Sequence, residues 1–238
     1  MGKSVSRAAV KIGYLQKTSF IEYPGRISAV VFTQGCNFRC PYCHNPELVE
    51  PARFSPALEI DTILSYLRTR KGKLDALSIT GGEPCLQPGL LSFMKTVKDM
   101  GFLVKLDTNG SFPDVVSKAI DSGVVDFVAM DVKAPLSRYQ EVAGCTLDPG
   151  AVAESIRIIR DSGVDCEFRT TLVEGLLDRN DLLEIGRLVE GVPRYALQRF
   201  VASKHLDESF FLARTLDETE IDGIVEALRP MVGKLIVR

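Results

Sequence analysis

Gly35-Cys36-Asn37-Phe38-Arg39-Cys40-Pro41-Tyr42-Cys43-His44-Asn45-Pro46 decides how the rest of this chain is read. Its cysteines stand at spacings of four and three, which on a helix would form one apolar stripe of small buried hydrophobes. Gly35, Asn37, Pro41, Asn45 and Pro46 oppose that reading, because a mid-segment proline breaks a helix and the other residues punctuate turns. The segment is a loop that brings three thiols together, and the use of such a loop is to hold a metal. A closed structural zinc site needs four ligands, and His44 is the local candidate for the fourth. Adjacent residues rarely both turn onto one ion, and no second Cys-x-x-Cys or His-x-x-x-His pair lies downstream. An electron-carrying iron–sulfur cluster also wants four cysteines, with Cys85 as the distant candidate. The third option is a 4Fe–4S cluster on Cys36, Cys40 and Cys43 with one iron open to a bound substrate.

The surrounding chain alternates strand and helix. Apolar runs at 27–33, 76–80, 103–106, 126–130, 165–173 and 195–200 read as buried strands, with 234–237 as a short terminal one. Between them lie helical stripes. Ile60, Ile63, Leu64 and Leu67 follow a Ser55-Pro56 start signal, and Leu90, Leu91, Met94 and Val97 run toward Gly101. Val115, Val116, Ala119 and Ile120 precede Gly123, and 148–162 ends at Gly163. Leu182, Ile185 and Val189 form the next stripe, and Asp217 with Glu220 makes a capping-box pattern before Ile221, Ile224, Val225 and Leu228. Six β/α units imply a parallel sheet, and too few for a closed eight-stranded barrel. The expected fold is therefore α/β, a partial open (β/α)6 TIM-like barrel, as a single domain over 1–238 with a docking segment at about 1–25.

The polar, glycine-rich motifs fall at the C-terminal ends of these strands, the rim where such barrels build their sites. They are the cysteine loop, Gly81-Gly82-Glu83-Pro84, Asp107-Thr108-Asn109-Gly110 and Asp131-Val132-Lys133. Each has a plainer reading as a turn or a solvated charge pair. Arg169 and Gln198 face the same rim only if strand parity allows.

Cys-x-x-x-Cys-x-x-Cys with an aromatic, Tyr42, before the last cysteine resembles the signature of the radical S-adenosylmethionine (radical SAM) enzymes. That resemblance implies a cluster held by Cys36, Cys40 and Cys43, whose open iron binds the methionine part of SAM. One-electron cleavage of the sulfonium would then give a 5′-deoxyadenosyl radical. Gly81 to Pro84 resembles the family's SAM motif, whose backbone meets the methionine amino group; glycine permits close approach. Asp107-Thr108-Asn109 and Asp131-x-Lys133 resemble the SAM-contacting motifs of glycyl-radical-enzyme activases, where both charge signs suit a zwitterion. Arg169 and Gln198 are further SAM or substrate contacts on this resemblance.

The run Cys-Pro-Tyr-Cys-His-Asn is similar to that of pyruvate formate-lyase type activases. Gly13 to Phe20 with Glu22-Tyr23-Pro24-Gly25 resembles the activating proteins of anaerobic ribonucleoside-triphosphate reductase. The implied reaction is hydrogen abstraction from a glycine of that partner, with a flavodoxin or ferredoxin as electron donor. Ser55 follows Cys43 by twelve positions and the chain has six cysteines, so the cysteine-rich insert of some other activases is missing. The 7-carboxy-7-deazaguanine synthase branch is discounted on its cysteine spacing. Another glycyl-radical activase, or a radical SAM enzyme on a small molecule, is the alternative. On this reading Cys85 is not a ligand, Cys145 and Cys166 are structural, His44 packs beside the cluster and His205 is exposed.

Composition agrees with a core-forming protein of 238 residues, 45% hydrophobic and 25% charged, with net charge −2. No basic block points to nucleic acid, and no apolar run to a membrane span or signal peptide. Reduced thiols in the cytoplasm fit better than disulfides in a chain of this size. Met1 to Ser6 matches the short N-myristoylation pattern, which recurs by chance.

Overall fold

The computed structural model describes residues 10–238. The match to the N-myristoylation pattern and the start of the docking segment lie outside the described residues. Eight strands form one sheet in sequence order: β1 (Ile12–Ser19), β2 (Ser28–Thr33), β3 (Ala76–Gly81), β4 (Leu103–Thr108), β5 (Phe127–Asp131), β6 (Asp165–Leu172), β7 (Arg194–Arg199) and β8 (Lys234–Val237). β1 runs antiparallel to β2, and every later neighbour is parallel. β1 and β8 are the two edges, so the barrel stays open. The six expected units span β2 to β7, and the expected terminal strand is β8. The irregular or short strands expected before residue 25 are one eight-residue strand, β1.

The helices are α1 (Pro46–Val49), α2 (Ile60–Thr69), α3 (Leu90–Asp99), α4 (Pro113–Asp121), α5 (Tyr139–Ala143), α6 (Pro149–Asp161), α7 (Arg179–Leu188) and α8 (Glu218–Leu228). Their stripes pack on one face of the sheet: Ile63 and Leu67 of α2, Met94 and Val97 of α3, and Ile156 and Ile159 of α6 join Leu77, Ile79, Val104, Leu106 and Val128 in one core. Fully burying each such side chain stabilises by about 1.5–3 kcal/mol. The other face has only a small apolar floor of Tyr23, Ala76, Phe127 and Ala129, backed by Leu103. Tyr23 and Phe127 meet there at 5.5 Å between ring centroids. Strand pleating places residues i and i+2 on one face, so the residues above this floor point into the same interior.

Two start signals behave differently from expectation. Ser55-Pro56 does not begin α2, which starts at Ile60 after Glu59. Leu58 N–H donates to Ile12 O at 2.7 Å, and Ser55 O accepts from Gln34 Nε2 at 2.7 Å. Those tertiary bonds hold 55–58 extended against β1 and delay the helix. Asp217 caps α8 by accepting from Glu220 N–H at 2.7 Å. The reciprocal box forms instead at α7, where Asp178 and Asp181 each accept the other's backbone N–H. α6 lies within the expected 148–162, with Asp148 capping it by accepting from Gly150 N–H at 2.9 Å and Gly163, at φ +74°, following its end.

Candidate active site

The cysteine loop leaves the C-terminal end of β2 through Gly35, at φ +97°. Gly35 N–H donates to Leu48 O at 2.8 Å, and Gly35 O accepts Glu83 N–H at 2.8 Å. That second bond forces the loop after β3 tightly beneath the cysteine loop. A Cβ on Gly82 would stand 2.1 Å from Gly35 O, and one on Gly81 would stand 2.2 Å from Thr33 N. The glycine pair is thus required by backbone packing against the cysteine loop, a role additional to the ligand approach expected from sequence.

Within the loop, Cys43 N–H donates to Cys40 O at 3.0 Å, and Phe38 anchors edge-on against Tyr139 at 6.2 Å. Cys40 is buried, while Cys36 and Cys43 are half-buried. Burial pushes the Cys36 and Cys40 thiols up to about 12 and raises Cys43 as well. The metal-free thiols are therefore protonated at neutral pH, and metal binding must displace those protons. Among the described residues, no three His, Cys, Asp or Glu side chains converge on a position for one metal ion. The donor set offered by the loop is three thiols, soft ligands of the kind that hold iron–sulfur clusters or zinc. Cys85 is buried in the turn after Glu83 and does not line the cavity described next.

A cavity of about 230 Å³ opens at this rim. Cys36, Cys40, Tyr42, Cys43, Gly81, Gly82, Glu83, Asp107, Thr108, Asn109, Asp131, Lys133, Arg169 and Gln198 all line it. Of the residues expected at the site, Pro84 alone stays outside; it is buried beneath the turn. Thr80 and Thr171 line the cavity too and were missed. The available signal was parity, since Thr171 stands two residues beyond Arg169. A second cavity of about 340 Å³, between the loop after β6 and α8, contains neither cysteine nor histidine.

Charged side chains from three strand ends form a continuous chain in the interior. Lys105 pairs with Asp107, and Asp107 accepts from Arg169 Nη1 at 3.2 Å. Arg169 Nε reaches Asp131 at 2.6 Å, and Lys133 Nζ completes the chain to Asp131 at 3.0 Å. Parallel pairing produces this arrangement, because Asp131 stands in register with Arg169. The Arg169 guanidinium and the lysines hold the Asp107 and Asp131 carboxyls below the usual carboxylate range despite burial. The Lys133 ammonium is held well above its ordinary range by Asp131. Asp107, Asp131, Lys133 and Arg169 of this chain line the cavity, and Lys105 backs it through Asp107, so both charge signs are presented there. Lys105 had no signal of its own beyond its place two residues before Asp107.

Glu83 behaves as a brace. Its fully buried carboxylate accepts from Cys85 N–H at 2.9 Å, Thr108 Oγ1 at 2.8 Å and Asn109 N–H at 2.7 Å. Burial raises its pKa in spite of those bonds. Asn109 Nδ2 donates to Asn37 Oδ1 at 3.0 Å, and Asn37 Nδ2 to Ser111 Oγ at 2.9 Å. The loops after β2, β3 and β4 are thereby tied into one unit.

His205 corrects an expectation. It is 2% exposed, not solvated, because Phe200 stacks on its ring at 4.8 Å and His44 approaches at 4.8 Å. His44 itself lines the cavity, and burial lowers its pKa.

The Radical SAM superfamily profile matches residues 30–189, more than half of the chain. With that match and this rim, the chain belongs to the radical SAM superfamily, whose members work with a 4Fe–4S cluster and SAM. It is 34% identical over 226 residues, 92% of each chain, to a Methanocaldococcus jannaschii protein provisionally named a glycyl-radical enzyme activating enzyme. It is 30% identical over 192 residues to the pyruvate formate-lyase-activating enzyme of Streptococcus mutans, covering 76% of this chain and 71% of that one. Within the superfamily it belongs to the glycyl-radical enzyme activating family, a family of oxidoreductases. It is also similar to the 7-carboxy-7-deazaguanine synthase of Thermococcus kodakarensis, 29% identical over 162 residues, covering 58% of this chain and 61% of that one. Among solved structures, Streptococcus suis SuiB bound to precursor peptide SuiA shares the fold with a TM-score of 0.65 at 12% identity. This chain is 88% covered there and spans about half, 48%, of that longer chain. Among the described residues, no helix is long and apolar enough to cross a membrane.

Proposed function

We propose that this chain is a single-domain activase that holds a 4Fe–4S cluster on Cys36, Cys40 and Cys43 with one iron open. SAM occupies the same cavity, and the partner is a glycyl radical enzyme, anaerobic ribonucleoside-triphosphate reductase. When bound, the cluster and SAM supply one-electron cleavage of the sulfonium and so the hydrogen abstraction from a glycine. The carrying observation is that all three thiols and the Lys105–Asp107–Arg169–Asp131–Lys133 chain line or back one cavity. The chain's own residues bind and orient. Lys133 and Arg169 offer donors to a carboxylate, Asp131 offers an acceptor to an ammonium, and Gly81 and Gly82 leave backbone uncovered at the wall. Glu83 and Asn109 keep the wall in register with the cysteine loop. The similarity of the 13–25 segment to reductase activators supports that partner. A cytoplasmic flavodoxin or ferredoxin is the electron donor in this reading.

The test is anaerobic reconstitution, reduction, and an EPR spectrum with and without SAM, followed by incubation with the candidate reductase. The expected results are a cluster signal altered by SAM, 5′-deoxyadenosine formation, and a glycyl radical doublet on the reductase. Cys36→Ala, Cys40→Ala and Cys43→Ala each reduce 5′-deoxyadenosine to background. Asp131→Ala and Lys133→Ala weaken SAM binding and keep the cluster. A cluster indifferent to SAM overturns the site reading. The deazaguanine synthase relative favours a second reading, chemistry on a small molecule; 5′-deoxyadenosine without any glycyl radical on the tested reductase, and with turnover of a small substrate, would select it.

A further inference from the structure

The segment after β7 returns over the outside of the cysteine loop and meets it with three consecutive hydrogen bonds. Asp207 N–H donates to Pro41 O at 3.0 Å, and Leu206 N–H to Cys43 O at 3.1 Å. Between them, His205 Nδ1 lies 3.2 Å from Tyr42 O. Ser203 N–H approaches His205 Nε2 at 3.0 Å, and a backbone N–H can only donate. Nε2 is therefore the acceptor, and Nδ1 carries the proton that goes to Tyr42 O. Phe200 stacks on the ring and His44 packs against it, each at 4.8 Å between centroids, which holds the ring in this orientation. Beyond the strap, Lys204 pairs with Glu47 of α1.

We propose that His205 is a positioning residue for the cysteine loop, locking the Tyr42 carbonyl outward so that the loop presents Cys40 and Cys43 to the cluster. This rests on the cluster reading above. In a trans peptide the C=O and the next N–H point in opposite directions. Carbonyls 41, 42 and 43 are fixed toward the strap, and Cys43 N–H turns the other way to donate to Cys40 O at 3.0 Å, so the turn that carries Cys40 and Cys43 is held from both sides. The sequence motif does not contain His205; the contact joins residues 163 positions apart.

The experiment uses the full chain with His205→Phe, which keeps a ring against Phe200 and removes both polar atoms, and His205→Asn, whose amide N–H takes the place of Nδ1. In the metal-free chain, His205→Phe should speed hydrogen exchange at the Leu206 and Asp207 amides at least tenfold with an unchanged circular dichroism spectrum. In the reconstituted protein it should lose iron to a chelator several-fold faster. His205→Asn should restore both most of the way. Wild-type exchange and iron retention in His205→Phe would overturn the assignment, as would equal defects in the two variants. If the wild-type chain takes up no iron, the cluster reading itself fails, and the exchange result separately tests the strap.

Discussion

The two ends of the barrel interior are built from the same strands on the same face, yet they solve different problems. At the floor, Ala76, Phe127 and Ala129 pack with Tyr23, and Arg194 lies over the Phe127 ring at 5.0 Å. Its partner Asp165 has 77% of its side chain in water. Two to four residues further along, β4 turns from Leu103 to Lys105 and Asp107, and β5 from Phe127 to Asp131. There the Lys105 side chain is 2% exposed and the Arg169 side chain 12%. The Arg194–Asp165 pair at the floor reaches solvent and contributes little. Rim charges are desolvated, and each depends on its partner. The floor supplies stability; the rim keeps charge at a fixed address for a polar ligand, and the floor and outer core offset what that costs.

The sharpest way to break this contrast is Arg169→Met. It takes one of two cationic partners from each of the buried Asp107 and Asp131 carboxylates, and the expected loss is about 3–5 kcal/mol in urea unfolding of the metal-free chain. A loss below about 1 kcal/mol would mean that the rim pairs are as weak as surface ones. Phe127→Ala removes the centre of the floor, with an expected loss of about 3–4 kcal/mol. Its folded fraction should keep wild-type SAM affinity after reconstitution; weakened affinity would mean that floor and rim are not separable.

The smallest effect concerns pH. Asp107 and Asp131 have folded pKa values below their unfolded ones. Their contribution is fully present above the unfolded value near 3.9 and is lost as pH falls through the folded values. Acid titration of stability below about pH 4 should therefore be shallower in Asp131→Asn, by an amount on the order of 1 kcal/mol. Parallel titration curves would remove Asp131 from that linkage.

Much of this architecture is legible locally. Buried strands of β-branched and aliphatic residues, followed by stripes at helical spacing, announce six β/α units because both periodicities are properties of adjacent residues. The cysteine loop is equally legible, since its glycine, asparagine and proline residues exclude a helix. Errors cluster where distant chain intervenes. Ser55-Pro56 is a sound start signal overridden by the pairing of Leu58 with Ile12. His205 sits among polar residues, as an exposed histidine would, but the aromatic shelf of Phe200 and His44 covers it.

By itself, then, the amino-acid order determined the β/α alternation, the placement of polar motifs at strand ends and the triad Cys36, Cys40 and Cys43. Only the tertiary structure decided how the charges and glycines are used. Arg169 joins Asp107, 62 residues away, to Asp131, 38 residues away, and Glu83 is consumed as a brace for Thr108 and Asn109. Gly82 is required by Gly35 O. The physical reason is that hydrophobic periodicity acts between neighbours, whereas the partner of a buried charge is set by strand register, which long-range packing selects.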